Sequence, residues 1–210
     1  MIQGFKDYDK TQVYGNFKSL PKGAYIIEIK DAKVKESDGN QRIELAFDIA
    51  DGEYKGYYAD NYKNQKDEDK KWKGIATLWV PKDDGTEQDG WSKRRFKTFT
   101  TALEDSNPGY RFDWDETKFK GKKVAGLFRY KDFEGDDGKP HRTLQLNSYC
   151  SIDDFKKGNY KLPKDYFKHG WTEDGDTSAP SVTDPAPADE NGFMKVPEGV
   201  DDEIPFLKDE

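Results

Sequence analysis

Of the 30 aromatic residues in this chain of 210, all but Phe193 and Phe206 lie at or before Trp171. No other feature limits the fold as strongly, because each ring carries a large area that a core can bury. Leu, Ile, Val and Phe together supply only 38 residues, and the net charge is −7. Without the rings, those two facts would describe a disordered chain. The expectation is an aromatic-rich folded body followed by a polar tail.

Charge divides at the same place. Residues 1–168 hold 33 Lys and Arg against 30 Asp and Glu, whereas residues 169–210 hold 2 Lys against 12 Asp and Glu. Five of the 10 prolines also fall in that last stretch. So acidic and proline-punctuated a segment cannot offset the entropy of ordering itself. The sequence therefore predicts a folded body over 1–171, a flexible acidic linker over 172–199 and an acidic tip over 200–210. The tip reads Asp201-Asp202-Glu203-Ile204-Pro205-Phe206. Three acids ahead of an apolar triplet, on a tether, have the chemistry of a peptide ligand for a partner protein.

Several classes fall away. No stretch approaches the roughly 20 apolar residues of a membrane span. The opening residues, Met1 to Asp7, lack the basic patch and apolar run of a secretory signal. Cys150 is the single cysteine, so no intrachain disulfide forms, and there is no Asn-x-Ser/Thr sequon. A reducing cytoplasm is the expected compartment. Cys150, His141 and His169 are too few for a structural zinc site. No metal and no cofactor is expected.

Strand signals dominate the first half. Ile43, Leu45, Phe47 and Ile49 alternate with Arg42, Glu44, Ala46 and Asp48, which predicts a strand with one buried face. Gly23 to Lys30 forms another strand, joined to it through Glu36-Ser37-Asp38-Gly39-Asn40. A third runs from Ile75 to Val80, closed by Pro81, with Trp79 on the face of Ile75 and Thr77. Phe96, Phe99 and Leu103 then share one face of a helix that Asp89 can cap and Asn107-Pro108-Gly109 ends. Strands over Lys122–Tyr130 and Arg142–Tyr149 flank the turn Gly135 to Gly138, and a short helix capped by Ser151 follows. This order predicts a mainly β protein, a five-stranded Greek-key barrel of the OB type with one helix between strands three and four. A β-sandwich with an inserted helix has the same order of elements.

No catalytic motif is present, and the chain is read as a binding protein rather than an enzyme. Gly135 to Pro140 lacks the spacing of a phosphate loop, and Pro140 stands where that loop needs a hydroxyl. Cations do recur beside rings. The candidates are Tyr62, Lys63, Lys71, Trp72, Lys73, Trp79, Lys93, Arg94, Arg95, Arg129, Tyr130, Lys131 and Arg142. Single-stranded nucleic acid calls for this pairing, since cations meet phosphates while open rings stack on unpaired bases. Trp72 and Tyr62 flank charged stretches and are expected to be exposed rings, whereas Phe96 and Phe99 are expected in the core. Lys93-Arg94-Arg95 also suits an ordinary solvated helix face.

The tip resembles the acidic Ile-Pro-Phe end of bacterial single-stranded DNA-binding proteins, except that Leu207-Lys208-Asp209-Glu210 follows the Phe. The body resembles phage-encoded single-stranded DNA-binding or recombination-associated proteins through Leu20 to Tyr25, Phe47 to Gly56 and Lys120 to Val124. The resemblance implies an OB fold, coating of single-stranded DNA in replication, recombination or repair, and recruitment of partners through the tip. It also implies a host-cell cytoplasmic setting; homo-oligomer formation is left open. Two other readings fit the residues: an interaction or inhibitor module whose acidic tail mimics nucleic acid, and a metal-dependent nuclease using Glu28.

Overall fold

A computed structural model of the chain describes residue 6 and residues 19–37, 39–66 and 69–171. The expected linker and the tip Asp201 to Phe206 lie outside the described residues. The architecture is mainly β: one open, five-stranded antiparallel sheet with three α-helices among the described residues. Strands are β1 (Ala24–Ser37), β2 (Asn40–Ile49), β3 (Ile75–Trp79), β4 (Lys123–Glu134) and β5 (Pro140–Cys150). Helices are α1 (Tyr57–Asn64), α2 (Glu87–Ser106) and α3 (Ile152–Lys157). The spatial order is β3-β2-β1-β4-β5, with α2 inserted between β3 and β4 in the chain.

β1 carries the topology. Its first residues, Ala24 to Glu28, pair with Leu127 to Lys123 of β4, and Ile27 to Ser37 pair with β2. Between Ile29 and Asp31 the register slips, leaving Lys30 opposite no residue of β2. A bulge of this kind bends a strand and reverses which parity faces inward. Ile27 and Ile29 are buried before it, and Ala32 after it, while Asp31, Lys33 and Lys35 look outward. The sequence strand stopped at Lys30 because its alternation breaks there; the strand itself runs on to Ser37.

The rings of the body fill the core. Phe47, Phe99, Phe119 and Phe128 are essentially inaccessible, with Leu103, Val124 and Leu45 among them. Phe99 meets Phe119 and Tyr149 edge-on at 5.2 and 4.8 Å, and Phe47 meets Phe128 at 5.9 Å. α2 lies over this core on Phe96, Phe99 and Leu103, as their spacing predicts.

Three local details depart from expectation. Asp48 is buried rather than outward, because its carboxylate accepts the amides of Tyr58 (2.9 Å) and Ala59 (3.2 Å) and so caps α1. α1 itself was not foreseen. α2 begins two residues before Asp89, capped by Thr86, whose Oγ1 accepts the Asp89 amide at 3.1 Å. Asp89 instead turns back on the 81–85 loop: its Oδ1 accepts the amides of Lys82 (2.9 Å) and Asp83 (3.0 Å), and its Oδ2 meets Lys93 Nζ at 2.8 Å. α3 has the expected cap, Ser151, which accepts the Asp154 amide at 3.0 Å.

The stretch 165–171 straps the outer edge of β4 where β1 no longer covers it. Tyr166 forms a parallel bridge with Lys131, donating to Tyr130 O at 3.0 Å and accepting from Asp132 N at 3.2 Å. Asp132, fully buried, receives the amides of Lys168 and His169 at 2.7 Å and of Trp171 at 3.2 Å.

These contacts set two expectations. Asp132→Ala leaves three amides without their acceptor, so stability falls by on the order of 3 kcal/mol in urea unfolding. Hydrogen exchange then accelerates at Lys168, His169 and Trp171 before the rest of the sheet. The Lys93 ammonium, with the amides of the 81–85 loop, holds the Asp89 carboxyl below the usual carboxylate range. A carboxyl lowered in the folded state stabilises above its unfolded pKa of about 3.9, and that contribution fades as pH falls through the lower folded value. Unfolding free energies measured between about pH 7 and pH 2 should therefore drop more steeply below about pH 4 in the native protein than in Asp89→Asn.

Candidate nucleic-acid interface

The outward face of β1, β2 and β3 is ordered by the ladder register into rows across the strands. The top row is Trp79, Arg42 and Lys35, the next Thr77, Glu44 and Lys33, and the last Ile75, Ala46 and Asp31. Arg42 lies over the Trp79 ring at 5.7 Å. Glu44 takes Lys35 at 2.8 Å and stands 3.8 Å from Arg42, and Asp31 takes Lys33 at 3.2 Å. Three cations against two acids leave this face positive, with Trp79 half-buried at one corner and Ile75 exposed at the other. Chemically it offers a flat ring edged by guanidinium and ammonium groups, which suits a base followed by its phosphate. Of the sequence candidates only Trp79 belongs to it. Arg42, Lys33 and Lys35 were missed, because only the pairing of β1 with β2 and of β2 with β3 brings them beside the ring.

The other candidates fall in three places. Tyr62 of α1 packs against Trp72 at 5.9 Å and is exposed, as expected. Trp72 is not the open ring anticipated: it is half-buried, and its Nε1 donates to Phe47 O (3.2 Å) and Gly74 O (3.1 Å). Gly74 is the residue that permits this approach, since a Cβ there would stand 2.3 Å from Phe47 O. Lys63 and Lys71 make loose surface pairs with Asp60 (3.6 Å) and Asp69 (3.8 Å), and Lys73 is exposed. Such pairs open readily to another anion.

On α2, Lys93 is engaged by Asp83 and Asp89, and those two carboxylates push its pKa up. Arg95 donates to Asn147 O at 2.7 Å and lies 4.7 Å over the Trp91 ring, so it braces the helix against β5. Arg94 is exposed. On the hairpin of β4 and β5, Arg129 is only 3% exposed, bonded to Gln145 at 3.3 Å and 5.2 Å above Tyr166. It braces the strap from within. Lys131 is half-buried in the row of the Tyr166 bridge. Arg142 sits between the rings of Tyr130 (4.2 Å) and Trp171 (4.5 Å). Tyr130 and Arg142 were each candidates in the sequence, but their pairing and its third member, Trp171, were not foreseen. Glu28, the nuclease candidate, is paired with Lys30 at 2.6 Å.

Two non-glycine residues among those described hold a positive φ, Asp83 at 59° and Trp114 at 66°. Such a backbone costs about 1–3 kcal/mol and persists only where surroundings enforce it. Asp83 is enforced by its amide on Asp89 and its carboxylate on Lys93. Trp114 is 77% exposed, the most open large apolar residue among those described, and the sequence reading passed over it.

No curated protein matches the chain. Residues 6–113, which run from before β1 to just past α2, match the model of a family described as Protein of unknown function (DUF669). That stretch is just over half of the 210 residues and includes all of the β1–β2–β3 face, so the protein belongs to the DUF669 family.

Proposed function

We propose that this protein binds single-stranded DNA, without marked sequence preference, on the outward face of β1, β2 and β3, and that it acts by binding rather than catalysis. The observation that carries the reading is the in-register row of Trp79, Arg42 and Lys35, a ring edged by two cations on a sheet surface. The fold supports it. The order β3-β2-β1-β4-β5, a long bulged β1 shared by two neighbours, and α2 placed between β3 and β4 are the features of an OB-type barrel. That fold uses the face of its second and third strands for oligonucleotides. In this reading the tip Asp201 to Phe206 recruits replication or recombination proteins, and the acidic segment before it competes with DNA for the cations of the body. A tether can hold such a competitor at millimolar local concentration.

Fluorescence titration with oligo-dT tests the proposal. Tryptophan emission should be quenched, with an affinity that falls as salt rises. Trp79→Ala should weaken binding by roughly 5- to 150-fold, the effect of losing one stacked base. Arg42→Ala should weaken it and flatten the salt dependence by about one charge. No quenching up to high micromolar protein would reject the reading. Deleting residues 172–210 should tighten binding at low salt; an unchanged affinity and salt slope would remove the competition by the tail.

A further inference from the structure

We infer that Trp114 is a second base-stacking station, on the α2 side of the molecule, so that a bound strand continues from the sheet face across the 81–85 loop. This rests on the proposed binding of single strands and adds a site to it.

Trp114 faces Phe96 nearly parallel, with centroids 6.0 Å apart and planes 12° from each other, and leans on Phe112 at 5.2 Å. One face of the indole is therefore backed by fixed rings and the other is open to solvent, at 77% exposure. The same residue holds a left-handed backbone, at φ 66°. A ring so exposed gains little by folding, since most of its area stays wet. It gains much by stacking on a flat partner.

The surroundings say what that partner is. Trp114 lines a groove with Pro81, Asp83, Lys93, Phe96 and Lys97. The acid Asp83 is answered by Lys93, and Glu104 on the same wall is met by Arg111 at 3.6 Å and by the Phe112 amide at 2.9 Å. Lys97 on the same groove is exposed and holds no side-chain ion pair or hydrogen bond among the described residues. That leaves one uncommitted cation beside an open ring, which is the arrangement for a base and its phosphate. A second depression, lined by Trp79, Val80, Lys82, Asp84 and Asp89, reaches the same loop from the sheet side. Asp83 and Trp114, the two non-glycine residues of positive φ among those described, line the groove on the other side of that loop.

The test compares the full chain with Trp114→Ala, Trp114→Tyr and Lys97→Ala, titrated with oligo-dT of about 6 and about 16 nucleotides, near the ends of the range one OB fold covers. Trp114→Ala should bind the short oligonucleotide as the native chain does and lose roughly 5- to 150-fold on the long one. Trp114→Tyr keeps a ring and should retain most of the long-oligonucleotide affinity. Lys97→Ala should lower the salt slope by about one charge on the long oligonucleotide alone. Urea midpoints of the variants separate loss of binding from loss of folding. Equal binding of both lengths by Trp114→Ala and the native chain would overturn the inference and leave the sheet face standing. Failure of the native chain to bind either length would instead remove the underlying reading. A synthetic peptide of residues 200–210 that quenches the native chain but not Trp114→Tyr, where dT does not, would make the groove a peptide site and overturn the inference.

Discussion

Strand β1 has to serve two neighbours that lie in different directions, and everything else in the sheet follows from how it does so. Its first half bonds to β4 and its second half to β2, with the slip at Lys30 between them. An unbroken strand of 14 residues would keep one parity inward along its whole length and would lack the local bend. With the extra residue, Ile27 and Ile29 fill the core at one end and Ala32 at the other, while Asp31, Lys33 and Lys35 turn to solvent. The bend brings the aromatic interior together, and the change of parity puts Lys33 and Lys35 on the outward face that carries Arg42 and Trp79. Core and candidate interface are thus products of one local irregularity.

The folded part of the chain was largely legible because its signals are local. Alternation marked β2, the spacing of Phe96, Phe99 and Leu103 marked α2, and Gly135 to Gly138 marked the last hairpin. What escaped was held by partners remote in the sequence. α1 is nucleated from Asp48, ten residues before Tyr58 and across a loop, so nothing within the helix announces it. The strap at 165–171 depends on Asp132, more than thirty residues upstream. The same reason separates the expected site from the observed one. Counting cations next to rings along the chain finds Lys71-Trp72-Lys73 and Arg129-Tyr130-Lys131, where ring or guanidinium proves to be packed. It does not find Arg42 beside Trp79, since those two meet only through a ladder.

Cation and ring therefore do two separate jobs here. Arg95 on Trp91, Arg129 on Tyr166 and Arg142 between Tyr130 and Trp171 are internal fastenings, each tying one element to another. Arginine suits this use because its planar head stacks while its edge still donates hydrogen bonds. Arg42 on Trp79 also joins two strands but lies on the outward face of the sheet, and the ring of Trp114 stands open to solvent. A composition rich in both residue types fits either job, and only the partners each cation and ring finds in the fold tell them apart.

The strap on β4 has a further consequence. From Phe128 onward that strand would otherwise present unpaired amides and carbonyls along a row of alternating rings and cations, an edge open to any extended chain. Tyr166 takes the central bonds of that row, and the buried Asp132 carboxylate keeps the covering segment in place. The protein in this way covers its own open edge, and a cut ahead of Asp165 would leave that edge a template for pairing copies side by side.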